Sequence, residues 1–139
     1  MTAPSPAIPP ATPPDGLNGE WYEYCRGGEL RFQCCAQCQR WRHPPRFRCP
    51  ACGSDQWSWE RSSGHGTVFS WTVTHQAPRP AWADLVPYAV LVVELDEGVR
   101  VVAGLRGLAP SELRLDLEVA VAFEAVSDAL SVPVFYPTH

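Results

Sequence analysis

Cys35-Ala36-Gln37-Cys38 and Cys49-Pro50-Ala51-Cys52 are two CxxC pairs with ten residues between them, and they decide the reading of the first half of this 139-residue chain. Two tight turns of this kind present four thiolates at the corners of a tetrahedron, the geometry that structural zinc prefers. Gly53 follows the second pair and frees the backbone as it turns around a metal, whereas Gln39 stands in the equivalent place after the first. The reading is a rubredoxin-like ribbon holding Zn²⁺ through Cys35, Cys38, Cys49 and Cys52, with iron as the alternative metal for the same donors. Four thiolates close the coordination shell, so the metal serves structure and not chemistry. Cys34 is an alternative to Cys35 at a less usual spacing, and Cys25 and Cys34 otherwise read as spare thiols. A redox CxxC needs a strand-to-helix setting that neither pair has, and disulfides are disfavoured in the cytoplasmic setting expected here.

Around these pairs stand Arg40, Arg42, His43, Arg46 and Arg48, with Trp41 and Phe47 interleaved. Residues 31–61 carry a net charge of +4, against −3 for residues 1–30 and −5 for residues 62–139. The middle is a basic island between acidic flanks. It can meet the phosphates of a nucleic acid or of coenzyme A, or it can be a solvated surface paired with the acidic barrel. Every basic residue is Arg, which suits bidentate phosphate or carboxylate recognition but equally reflects a GC-rich genome.

Upstream, Pro4 to Pro14 holds six prolines in eleven residues and reads as an extended linker or tail, residues 1–14. Residues 15–30 read as an N-terminal helix with Asp15 as its cap, Leu17, Trp21, Tyr22, Tyr24 and Cys25 along one face, and Gly27-Gly28 as its stop. After the ribbon at 31–61, the pattern changes to short alternating segments over 62–139. Strands are expected at Thr67–His75, Pro87–Leu95, Val99–Leu105, Glu118–Val126 and Ser131–Tyr136, with one helical turn at Ala109–Leu113. Asp96-Glu97-Gly98 is the turn between the second and third strands. Five strands with a small helix between the third and fourth match the OB-fold barrel, so the fold class is mainly β.

No catalytic constellation emerges. The sequence has no Walker, G-x-S-x-G or dinucleotide glycine motif, and His43, His65, His75 and His139 form no metal or triad pattern. His75, beside the 76–86 loop, is the one candidate acid or base, and a lone histidine is more often structural. No apolar run approaches the roughly 18 residues that span a bilayer, and Met1 to Pro14 lacks the basic start and apolar core of a secretory signal. The expected address is the cytoplasm, with no membrane partner.

The order of these motifs resembles a specific family, the zinc-ribbon/OB-fold acyl-CoA-associated proteins long labelled a domain of unknown function. The matching residues are Gly28-Glu29-Leu30, Gln33, His43-Pro44-Pro45-Arg46, Cys49-Pro50-Ala51-Cys52-Gly53, Gly64-His65-Gly66-Thr67-Val68, Tyr88 to Gly98, and Pro133 to Pro137. Asp116 departs from the family, which usually has glycine before the fourth barrel strand. The resemblance implies a non-catalytic subunit or domain that binds a thiolase or thiolase-like aldolase in a hetero-oligomer. The complex's substrate would be a coenzyme A thioester. It further implies a retro-aldol lyase of steroid side-chain degradation in an actinobacterium, with a hot-dog hydratase domain upstream of the Pro-rich head. The barrel strands and the Trp82 loop are the candidate contact surfaces.

Two other classes stay open on the residues alone. A single-stranded nucleic-acid-binding module would use Phe69 and Trp71 as stacking platforms, but the barrel's charge of −5 opposes it. A stand-alone acyl-CoA enzyme would have to rely on His75, Cys34 or the acids.

Overall fold

The computed structural model describes residues 14–76 and 84–138, so most of the proline-rich head and Trp82 lie outside it. Helix α1 runs over Gly16–Arg26. Its glycine-rich exit is real, since Gly28 takes φ +81° and Gly28 N–H donates to the Cys25 carbonyl at 3.0 Å. Asp15 occupies the N-cap position, but its side chain makes no capping hydrogen bond. Trp21 and Cys25 are the buried residues of the helix, and Leu17, Tyr22 and Tyr24 are half-buried.

The ribbon is a three-stranded antiparallel sheet of order β2-β1-β3, from β1 (Arg31–Cys35), β2 (Trp41–Arg42) and β3 (Trp57–Arg61). The first cysteine turn joins β1 to β2, and the second lies in the loop between β2 and β3. Gly53 takes φ +79°, as expected of a glycine at this bend, and Gln39 takes φ +66° in the matching place. The Gln39 side chain donates to the Ala36 carbonyl at 3.0 Å, which ties a non-glycine residue into the left-handed conformation.

The barrel is closed in the order β4-β5-β6-β8-β7. Its strands are β4 (His65–Thr74), β5 (Tyr88–Leu95), β6 (Arg100–Leu105), β7 (Glu118–Ala125) and β8 (Ser131–Pro137). A 3₁₀ turn at Pro110–Glu112 sits where the helical turn was expected. Strand β5 shows the period of two clearly, with Ala89, Leu91, Val93 and Leu95 buried and the residues between them half-buried. Strand β4 begins two residues earlier than its sequence suggests. Gly64-His65-Gly66 reads as the start of a barrel strand at a bend, and His65 and Gly66 do pair with β7, with Gly66 pairing with β5 as well. A Cβ on Gly66 would stand 2.3 Å from the Glu94 carbonyl oxygen, so glycine here permits the crowding of three strands. Phe69 is the extra residue of a bulge between Val68 and Ser70 and turns outward.

One core runs through all three parts. Trp21, Cys25, Leu30 and Phe32 of helix and ribbon join Val68, Leu91, Val93, Val101, Val119 and Phe135 of the barrel in a single buried cluster. The helix therefore packs on its own chain, against β1 of the ribbon and against β7 and β8 of the barrel. At the junction, the Glu97 carboxylate accepts from the Ser62 hydroxyl and from Ser63 N–H, fastening the ribbon's exit to the β5–β6 turn. His43 is wedged between Trp21 and Phe32, with ring centroids 4.9 and 5.2 Å away. Burial pushes its pKa down to about 4, so it packs as a neutral ring.

Two predictions follow from these placements. Asp116, the residue that departs from the family's glycine, takes φ +63° on an exposed turn before β7. Asp116→Gly should raise unfolding stability by up to about 1 kcal/mol, and Asp116→Val should lower it by at least that much, read from urea midpoints. Because the folded pKa of His43 lies below its ordinary 6.5, the unfolded chain takes up the proton first as pH falls. Stability should decline from about pH 6.5 to about pH 4 by a contribution of about 3 kcal/mol, and His43→Phe should flatten that part of the profile.

Candidate metal centre

The four sulfurs predicted as ligands come together. The Sγ atoms of Cys35, Cys38, Cys49 and Cys52 all lie within 4.8 Å of one another, with Cys35–Cys52 and Cys38–Cys49 at 3.6 Å. A Zn–S bond of about 2.3 Å sets tetrahedral sulfurs about 3.8 Å apart, so the set fits a four-coordinate zinc ion. Each half of the site is built the same way. Gln39 N–H donates to the Cys35 carbonyl at 3.0 Å and Gly53 N–H to the Cys49 carbonyl at 2.8 Å, closing the two cysteine turns. Inside each turn a backbone N–H points at a sulfur, Cys38 N to Cys35 Sγ at 3.5 Å and Ala51 N to Cys49 Sγ at 3.4 Å.

These amides favour thiolate. The Cys38 N–H is the largest influence pulling Cys35 down to about 6, and the Cys52 N–H is the largest influence lowering Cys49. For Cys52 the Ser54 N–H pulls downward, but burial and the neighbouring sulfurs outweigh it and push the thiol up to about 11. Four sulfurs this close cannot all carry negative charge alone, and a bound dication removes that conflict. A complete sulfur shell leaves no position for substrate, so the centre supplies structure.

The two remaining cysteines stand apart from the set. Cys34 Sγ points to the Gln39 carbonyl at 3.6 Å, and burial raises its pKa. Cys25 lies in the core, where burial pushes its thiol up to about 12, so it is inert. His75 is exposed at the end of β4, on a shallow cleft shared with Val73, Pro87 and Pro110. Ser111 is also in its wall, and no carboxylate is.

No ion pair among the described residues joins the basic island to the barrel's acids. Among the described residues, the ion pairs of the ribbon join Arg31 and Arg61 to Glu29. Arg48 donates to the Gly53 carbonyl at 3.1 Å, and Arg42 is buried beneath the sheet edge beside Gln33. Sequence reasoning missed this buried Gln33–Arg42 contact. The signal available was Gln33 itself, a polar residue alternating with cysteines and Phe32 in a strand. Phe69 is already covered by the Arg100 guanidinium at 3.6 Å, and Trp71 packs against the core, so neither is a free stacking platform.

Comparison with known proteins agrees with this arrangement. The ChsH2 rubredoxin-like zinc ribbon domain matches residues 23–58, and the ChsH2 C-terminal OB-fold domain matches residues 59–124. A DUF35 domain-containing scaffold protein of Methanothermobacter thermautotrophicus is 33% identical over 95 residues, covering 68% of this chain and 71% of its own. The chain belongs to the DUF35 family. Another DUF35 chain, in the structure titled Ltp2-ChsH2(DUF35) aldolase, superposes with a TM-score of 0.82 at 37% identity, over 97% of this chain and 100% of that one. Two longer relatives are named as hydratase subunits. One is the probable enoyl-CoA hydratase alpha subunit of Thermomonospora curvata, 39% identical over 120 residues and 86% of this chain. The other is the 3-oxo-4,17-pregnadiene-20-carboxyl-CoA hydratase alpha subunit of Mycobacterium tuberculosis, 32% identical over 134 residues and 85% of this chain. This DUF35 chain spans 37% and 41% of their lengths.

Removing a ligand should release the metal and melt the ribbon. Cys49→Ser and Cys52→Ser are expected to lose the single equivalent of zinc measured by mass spectrometry and at least about 3 kcal/mol of stability. Cys34→Ser should keep both. Retention of zinc by Cys49→Ser together with its loss from Cys34→Ser would reverse the ligand assignment.

Proposed function

We propose that this DUF35 chain is a non-catalytic accessory domain of a thiolase-superfamily enzyme acting on acyl-CoA, its partner being a retro-aldol lyase of steroid side-chain degradation. The observation that carries the reading is the likeness, over nearly the whole chain, to the DUF35 chain of the Ltp2-ChsH2 aldolase. The site chemistry agrees with it. The thiolate set at Cys35, Cys38, Cys49 and Cys52 is closed. The chemistry then belongs to the partner, which breaks a carbon–carbon bond in a coenzyme A thioester, while this chain supplies a rigid surface held by structural Zn²⁺.

The steroid part of the proposal draws on the pregnadiene-carboxyl-CoA name of the mycobacterial relative. The longer hydratase subunits also support a hot-dog hydratase domain working beside this one, in the same chain or in the same complex. On this reading the protein acts in the cytoplasm, where its thiols stay reduced and available to zinc. No described helix is long and apolar enough to cross a membrane.

Affinity purification of the tagged chain from its source lysate tests the proposal. A stoichiometric thiolase-like aldolase is expected, with cleavage of a steroid side-chain CoA ester by the complex and none by the chain alone. A β-oxidation thiolase in its place would remove the steroid lyase assignment. Turnover by the isolated chain, or nucleic acid as the sole companion, would defeat the accessory reading.

A further inference from the structure

Four buried side-chain polar atoms have no partner among the described residues, and all four lie in one corner, where α1, β1 and β2 face the β5–β6 hairpin. They are Trp21 Nε1, Gln33 Nε2, Arg42 Nη1 and His43 Nδ1. Three of them are obligate N–H donors, and the His43 nitrogen donates or accepts according to tautomer. The corner is short of acceptors.

Arg42 makes the shortage one of charge. It is 7% exposed, and its Nε donates to Gln33 Oε1 at 2.8 Å and its Nη2 to the Arg46 carbonyl at 2.8 Å. Both acceptors are neutral. A guanidinium stays protonated in a protein, and a buried cation without an anion is unfavourable. Among the described residues neither Arg42 nor Arg46 joins an ion pair, and Arg100 meets one exposed carboxylate, Glu94 at 3.2 Å. These three arginines line an open cleft of about 360 Å³ together with Trp41 and His43, and no carboxylate lies in its wall.

We propose that this cleft between ribbon and barrel binds a phosphate or diphosphate group. Water would satisfy donors but bring no charge to Arg42 and Arg46, which join no ion pair among the described residues. A carboxylate offers one charge and two oxygens, whereas a phosphate dianion offers more of both to several guanidinium groups at once. A second cleft of about 640 Å³ shares His43 and Arg100 and continues over Trp21, Tyr22, Pro44 and Val102. Its aromatic and aliphatic wall gives the carbon part of a phosphate ester a place to lie. The inference rests on these residues and not on the accessory role.

Titration of the zinc-loaded full chain with inorganic phosphate and inorganic diphosphate at constant ionic strength tests it, followed by tryptophan fluorescence and the Arg42 Nε resonance. Saturable binding is expected, tighter for diphosphate, with chloride giving no matching change. Arg46→Gln should weaken binding at least about tenfold, and Arg40→Gln, an exposed arginine outside the cleft, should leave it within about twofold. Arg46 is exposed, so its variant keeps zinc and fold even where Arg42→Gln does not. Failure to saturate, an equal response to chloride, or equal losses in the Arg46 and Arg40 variants would overturn the site. So would salt-sensitive binding of a single-stranded oligonucleotide without binding of diphosphate. A nucleoside diphosphate should bind more tightly than inorganic diphosphate, and weaker binding would remove the extension along the second cleft.

Discussion

The constraint on which the ribbon depends is charge neutralisation among four sulfurs held within 4.8 Å. The two cysteine turns point their own amides at Cys35 and Cys49 and so prepare thiolate before any metal arrives. Preparation of that kind is unfavourable alone, because thiolates at this separation repel. A dication converts the repulsion into four bonds, and the free energy of binding becomes free energy of folding. The sheet β2-β1-β3 is too small to stand by its hydrogen bonds, since β2 is only Trp41–Arg42. The metal centre supplies the cohesion that a larger core would give.

What the ribbon lacks in core of its own, it shares. Phe32 is fully buried and touches Trp21 and His43, while Leu30 carries the chain from helix into sheet within the barrel's cluster. Large-to-small changes at a residue like Phe32 typically cost about 3–5 kcal/mol. Helix, ribbon and barrel are accordingly coupled, and the Glu97 contacts to Ser62 and Ser63 fix the junction at a second point. A partner that grips one part would therefore feel the position of the others, which suits the proposed role of holding another protein in place.

The elements most legible in the sequence are those set by local rules. The paired CxxC turns, the glycine exit of α1, the period of two in β5 and the Asp96-Glu97-Gly98 turn each follow from spacing and residue type. The elements read less well are those that depend on distant partners. Gly66 reads only as part of a bend at the start of a strand until three strands are seen to converge on it, because its reason for being glycine is the Glu94 carbonyl. Gln39 and Asp116 adopt left-handed backbone that sequence alone would reserve for glycine. The extra residue at Phe69 leaves no local mark, since a bulge is a mismatch between two strands and not a property of one. For the metal centre, the spacing identified the four cysteines that come together. The burial of Arg42 was hidden, because a run of arginines reads as surface until the sheet turns one of them inward.

That inward arginine separates the competing functional classes. A nucleic-acid groove needs cations spread along an open path and aromatic faces left free for bases. Here Phe69 is covered by Arg100 and Trp21 by Tyr22 and His43, Phe47 is left exposed in the ribbon, and the barrel beneath carries net negative charge. Arg42 and Arg46 instead meet Arg100 at one cleft between ribbon and barrel, a place for a single phosphate group and not a path for a polymer. A closed thiolate site and a basic cleft between ribbon and barrel suit the proposed role of recognising and positioning. On that proposal, the bond-breaking chemistry comes from another protein.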